Sequence, residues 1–205
     1  MEVCSFGPLC HTSMVFKNTK LKKCSYPFDW IFSSLETIGL SIEDDFKTFL
    51  DKSYYKDISA YECGHTLYND KLKIDNVNMF NHRNPLRFEK DYQYYIRCVE
   101  RFRNLLNSDC KKLFTLIYIR DNESDSNIRA FNEILKRHTT NFRLVVVFHS
   151  IGKRGHTVPS SPADDDTIDT IYLQTETQSY GVQFDSKEDN DYLESLILER
   201  YNLFI

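Results

Sequence analysis

The run Phe142 to Phe148 carries Val145-Val146-Val147 without a polar break. A strand with one wet face alternates apolar and polar residues, and a strand covered on both faces need not. The run therefore predicts a central strand with helices above and below it. Leu113 to Ile119 is a second β-type run. Between the two, Ile128, Phe131, Ile134 and Leu135 fall at helical spacing, with a cap near Ser124 or Asp125. Thr167 to Leu173 reads as a further strand, and Lys187 to Tyr201 as a last helix with Tyr192, Leu193, Leu196 and Ile197 inward. Upstream, Glu2 to Phe6 is a short buried strand broken by Gly7 and Pro8, and a helix starts between Pro8 and Cys10. This alternation predicts an α/β fold. We expect a mostly parallel or mixed central sheet, helices on both faces, and a single domain over residues 1–205.

The middle of the chain is read more locally. Asp91 to Leu106 is a helix with one apolar stripe. Ser33-Ser34-Leu35-Glu36 caps another, and Asp44 to Leu50 is helical. Tyr61 to Thr66 and Lys71 to Ile74 are expected to pair as a hairpin around Asn69-Asp70, with a short strand at Val77 to Phe80. Gly152 to Asp166 is the one long loop.

The formal net charge of −4 argues against nucleic acid as a partner, because such proteins show a basic face. Lys17, Lys20, Lys22 and Lys23 are expected to be a solvated cluster. No segment has the pattern of a secretory signal, and none approaches the ~20 apolar residues of a membrane span. A soluble, cytoplasmic protein with no membrane partner is expected. The six cysteines (4, 10, 24, 63, 98 and 110) contain no CxxC pair and are expected as free thiols. Cys10-His11 and Cys63-Gly-His65 are poor zinc patterns. We expect no metal and no cofactor; oligomeric state is not legible.

In open α/β sheets, ligands bind beyond the carboxyl ends of the strands. Cys10 and His11 follow the first strand. His82 and Arg83 follow Val77 to Phe80, Arg120 and Asp121 follow Leu113 to Ile119, and His149 follows the Val145 strand. Cys10 is the best nucleophile, since a helix N-terminus favours thiolate and offers free N–H groups to an oxyanion. His82 and His149 qualify as its general base, with His65 weaker and His11 on the wrong helix face. Asp29, between Phe28 and Trp30, either orients a histidine or accepts hydrogen bonds from nearby backbone. Arg97 and Arg101 share a helix face and either pair with carboxylates or, with Arg120, contact an anionic substrate group.

The order Ser5-Phe6-Gly7-Pro8-Leu9-Cys10, Pro27-Phe28-Asp29-Trp30, Asn81-His82, Arg97 to Arg101-Phe102, Phe114 to Arg120 and Val145 to His149 resembles a known family. It is the putative papain-like cysteine peptidase family, a domain of unknown function found in bacteria and large DNA viruses. The resemblance implies Cys10 as nucleophile and His82 as base. It also marks two departures: Arg83 stands where members carry Asp, and Phe148 stands where they carry Asn. A papain-like fold is a helical half packed on an antiparallel half, which conflicts with the α/β reading of the residues.

The expected function is thiol hydrolysis of an amide, isopeptide or ester bond in a protein, peptide or acyl substrate. The alternatives are acyl transfer to an amine or glycan hydroxyl from the same site, and a degenerate fold, possible in a virus, that only binds or assembles.

Overall fold

The chain is described by a computed structural model over residues 1–72, 74–119, 123–159 and 167–203. Its centre is a sheet of five strands: β1 (Glu2–Ser5), β4 (Lys112–Tyr118), β5 (Phe142–Ile151), β7 (Ile168–Thr175) and β6 (Gly155–Thr157), in that spatial order. The first four run parallel, and β6 closes the edge antiparallel to β7. Val145, Val146 and Val147 lie fully buried in β5, as a doubly covered strand requires. The α/β expectation holds. The predicted loop after β5 gives up Gly155–Thr157 to the sheet, and residues 160–166 of it lie outside the described residues.

Two cores flank the sheet. On one face α2 (Leu35–Glu43), α4 (Glu89–Leu106) and α5 (Asp125–His138) bury Ile38, Phe102 and Phe131 against Phe114, Leu144 and Val146. On the other, α1 (His11–Asn18) and α6 (Lys187–Arg200) bury Val15, Phe16, Leu193 and Ile197 against Val145, Val147, Ile171 and Leu173. Phe6 is the hub of the first core. Its ring stacks on Phe114 at 4.7 Å and meets Phe28, Phe102 and Phe131 edge-on at 5.7–5.9 Å. Much of the chain's large phenylalanine content is spent here.

Between α2 and α4 the sequence reading needs correction. After α3 (Lys47–Leu50), the strand β3 (Cys63–His65) pairs with β2 (Tyr55–Asp57), not with Lys71 to Ile74. Asn69–Lys71 is a 3-10 turn. The Asn69 side chain takes backbone N–H groups from both His65 and Met79, so it ties the loop together where a hairpin turn would have reversed it. Val77 to Phe80 forms only single bridges, from Phe80 to Ile31 and to Cys63.

Candidate active site

Cys10 is the N-cap of α1 and makes no side-chain capping bond. It sits there because Gly7 lets the chain turn sharply off β1. A Cβ at Gly7 would stand 2.3 Å from the Leu9 carbonyl oxygen. The Gly7 carbonyl accepts from the buried Ser33 hydroxyl, which fixes the turn from the other side. The first-turn N–H groups of α1 have no carbonyl within the helix to meet.

The Cys10 sulfur lies 3.8 Å from His82 Nε2. His82 is exposed, on an irregular segment, but the residues after it are held firmly. Asn84 is fully buried and donates to Asp57 and to the Ser59 and Glu62 carbonyls, while its oxygen accepts from Leu86 and Arg87 N–H. Arg83, at the departure from the family pattern, pairs with Asp91 at 3.0 Å and lies 3.9 Å over the Tyr94 ring. Asp91 also accepts from Asn84 N. The position that lost a carboxylate thus clamps the His82 turn to α4.

Asp29 is buried, and its carboxylate is taken up elsewhere. It accepts from Ser5 and Ser13 hydroxyls, from Tyr26 N at 2.6 Å, and from the Lys22 ammonium, with which it forms an ion pair. Among the described residues no hydrogen bond joins it to His82. Of the two sequence readings, the acceptor one fits the geometry, and Lys22 leaves the solvated cluster expected for it. The sequence reading named Ser5 only within the Ser5 to Cys10 motif and Lys22 only within the lysine cluster, and linked neither of them, nor Ser13, to Asp29.

The thiol's electrostatics also depart from expectation. Cys10 is 6% exposed. Burial, helped by the Asp29 charge, pushes its pKa up to about 11. The dipole of an eight-residue helix opposes this but acts on a largely desolvated sulfur, where burial is the larger effect. At neutral pH the resting group is therefore the thiol, and ionisation must wait for a base.

His149 is not at the Cys10 sulfur. It lies within β5, two residues before its end, and bonds Thr175 Oγ1 at 2.6 Å through Nε2. Its ring packs on Phe184, as does that of His11, whose Nδ1 meets Ser179 Oγ at 2.9 Å. Burial lowers both imidazoles, His11 to about 3 with His149 adding to the effect. His65 is buried, stacked on Tyr68 and bonded to the Thr48 carbonyl. Arg101 reaches the Ser25 carbonyl at 3.4 Å and Arg97 is exposed. Among the described residues neither pairs with a carboxylate, contrary to the ion-pair reading. Arg120 lies outside the described residues.

The Pro8-Leu9 turn that precedes Cys10 walls a cavity of about 490 Å³ together with Phe32, Val77, Tyr118 and Gly181 among others, and neither Cys10 nor His82 is among its described lining residues. Among the described residues no group of three or more His, Cys, Asp or Glu could hold a metal ion, and no helix is long and apolar enough to cross a membrane.

A glycine turn delivering a cysteine to a helix cap, with a histidine from a distant segment on its sulfur, is an arrangement spread over the region that one family model covers. That model, described as putative papain-like cysteine peptidase, matches residues 1–152. The chain belongs to this family. The matched region contains Cys10, His82 and Asp29, but not β6, β7 or α6. No curated protein and no solved structure matches the chain. For this family member the sheet is largely parallel, so the α/β reading of the residues prevails over the papain-like layout that the name implies.

Proposed function

We propose that the protein is a cysteine hydrolase that cleaves an amide, isopeptide or ester bond through Cys10 and His82. The observation that carries this is the 3.8 Å approach of the Cys10 sulfur to His82 Nε2, from segments far apart in sequence. With the thiol protonated at rest, the sulfur attacks the substrate carbonyl carbon as its proton passes to His82 Nε2. The developing oxyanion is met by first-turn N–H groups of α1. His82 then gives the proton to the leaving amine or alcohol, and an acyl-thioester remains on Cys10. Water, deprotonated by the same imidazole, releases the acid. Replacing that water with an amine or sugar hydroxyl gives acyl transfer by the same steps.

A second reading, a binding module on the same fold, draws on one observation. Among the described residues, Cys10 is the hydrogen-bond partner that His82 has, and nothing else orients its ring. The test is acylation by a panel of peptide, ubiquitin-type and simple esters, mapped by mass spectrometry. The enzyme reading expects a thioester at Cys10, slowed about 10²–10⁴-fold in His82→Ala. In that variant acylation should need pH values approaching the thiol's own, about 11. Acylation spread evenly over Cys10, Cys24 and Cys110, indifferent to His82, would leave only the binding module.

A further inference from the structure

One face of α4 carries a row of cations that the fold leaves unmatched. Arg97 and Arg101 are exposed and four residues apart, and among the described residues neither meets a carboxylate. Arginines elsewhere are matched: Arg87 with Asp57, Arg103 with Asp45, Arg137 with Glu43 and Arg200 with Asp169. Arg101 reaches the Ser25 carbonyl at 3.4 Å, which meets a dipole and not a charge. Glu100 stands three residues after Arg97 and, among the described residues, forms no ion pair with it. Lys90, exposed on the first turn, and Tyr94 continue the same face by helical spacing. Like charges four apart on a helix repel, so the row gives the helix nothing and points to a partner outside it.

The row leads to the Cys10 centre. Arg83 follows His82 directly, and its guanidinium lies 3.9 Å over the Tyr94 ring while one nitrogen meets Asp91 at 3.0 Å. Asp91 is buried and already taken up by Arg83 and Asn84 N, so it does not offset the exposed cations. The face thus runs from His82, 3.8 Å from the Cys10 sulfur, past Arg83 and Tyr94 to Arg97 and Arg101. In the proposed reaction His82 gives its proton to the leaving amine or alcohol, so the leaving part of the substrate lies on the His82 side. Dimensions agree with a polypeptide there. From Lys90 to Arg101 the helix rises about 17 Å, the length of about five residues of extended chain. Arg97 and Arg101 stand about 6 Å apart along the axis, and alternate residues of an extended chain, which point the same way, stand about 6.6 Å apart.

We propose that the face of α4 at Arg97 and Arg101 binds an acidic polypeptide segment, with carboxylates at alternate positions, on the leaving-group side of the bond that Cys10 attacks. The proposal rests on the thiol reading of Cys10 and names the substrate class for it. A peptide fits better than a nucleic acid, because Glu100 borders the row and the chain's formal net charge is −4, whereas nucleic-acid surfaces are broadly basic.

The experiment titrates the Cys10→Ala protein calorimetrically with an N-acetyl peptide amide of three Glu-Gly repeats, with its Gln-Gly counterpart, and with a thymidine oligonucleotide of equal length. The Glu peptide should bind about tenfold more tightly than the Gln peptide, and about 0.5 M salt should remove most of that preference. Arg97→Gln alone should cost the Glu peptide about two- to fivefold. Arg97→Gln with Arg101→Gln should abolish the preference and leave Tm equal or higher, since a like-charge pair has gone. Arg143→Gln, at the start of β5 and so at the opposite end of the sheet from Cys10, should change nothing. Absence of binding, a preference that survives the double variant or falls equally in Arg143→Gln, or tighter binding of the oligonucleotide overturns the proposal. The side is tested in the unaltered protein by acylating Cys10 with N-acetylglycine esterified to a lactyl peptide carrying either repeat. The Glu ester should react about tenfold faster below saturation, and the double variant should make the two esters equal. If both esters acylate Cys10 equally in the unaltered protein, the thiol chemistry stands and this surface falls. If the Glu peptide binds but Cys10 is never acylated, the assignment to a leaving group falls with the enzyme.

Discussion

At the residue scale the decisive pair is Asp29 and Cys10. Asp29 is fully buried with Lys22 as its counter-ion, so Asp29→Asn strands the ammonium. Removing one partner of a buried pair costs about 3–5 kcal/mol, read as a lower urea midpoint. The same change should bring the Cys10 thiol down from about 11, read from the pH dependence of alkylation in the folded variant. A catalytic orienting role for Asp29 would instead show as lost acylation with the fold intact. Acid should also weaken the protein through His11 and His149. Both are held below the ordinary imidazole range, so the unfolded chain binds more protons than the folded one as pH falls. Their stabilisation is complete above ~6.5 and is lost as pH falls below that, with the His11 share running down to about 3. The limit is about 1.4 kcal/mol per pH unit for each imidazole, checked by urea unfolding from pH 7 to 4 and by a flatter slope in His149→Gln. The placing of Cys10 at the start of a helix after the first strand was legible in the sequence; the residues alone left His82 and His149 as equal candidates to face its sulfur, and the family resemblance pointed to His82, which is the one found there. The state of the thiol was not legible, because burial is a property of the whole packing around it.

At the scale of elements, the strands and helices of the second half follow their periodicities closely, since each has one neighbour on either side to match. The region between α2 and α4 does not. Asn69-Asp70 has the composition of a hairpin turn, but side chains there compete for backbone groups, and that competition is decided by distant partners. Lys112 gives the reverse lesson. It opens β4 at 2% exposure, and its ammonium donates to the carbonyls of Ser108, Cys110 and Thr140. It thereby joins the turn after α4 to the turn after α5, which no local pattern reveals. Lys112→Met should leave these carbonyls unmet and cost at least ~3 kcal/mol, measured by thermal and urea unfolding. A loss below 1 kcal/mol would mean that water replaces the ammonium readily.

At the scale of the molecule, the region matched by the family model ends at residue 152, but the sheet does not. β7 pairs with β5 from Leu144 to Ile151, and α6 supplies Leu193 and Ile197 to the second core. A fragment of residues 1–152 should therefore lose cooperative unfolding and aggregate through the bared edge of β5, visible by light scattering and by a flat calorimetric trace. A soluble, cooperative fragment would show that the later elements are an accessory. The parallel order itself was legible from Val145-Val146-Val147; the antiparallel β6 was too short to register. Ser179 and Phe184, which hold the imidazole next to Cys10, come from near the far end of the chain. On a ribosome, His11 therefore emerges well before the residues that pack against its ring, and that neighbourhood closes only once Phe184 has followed.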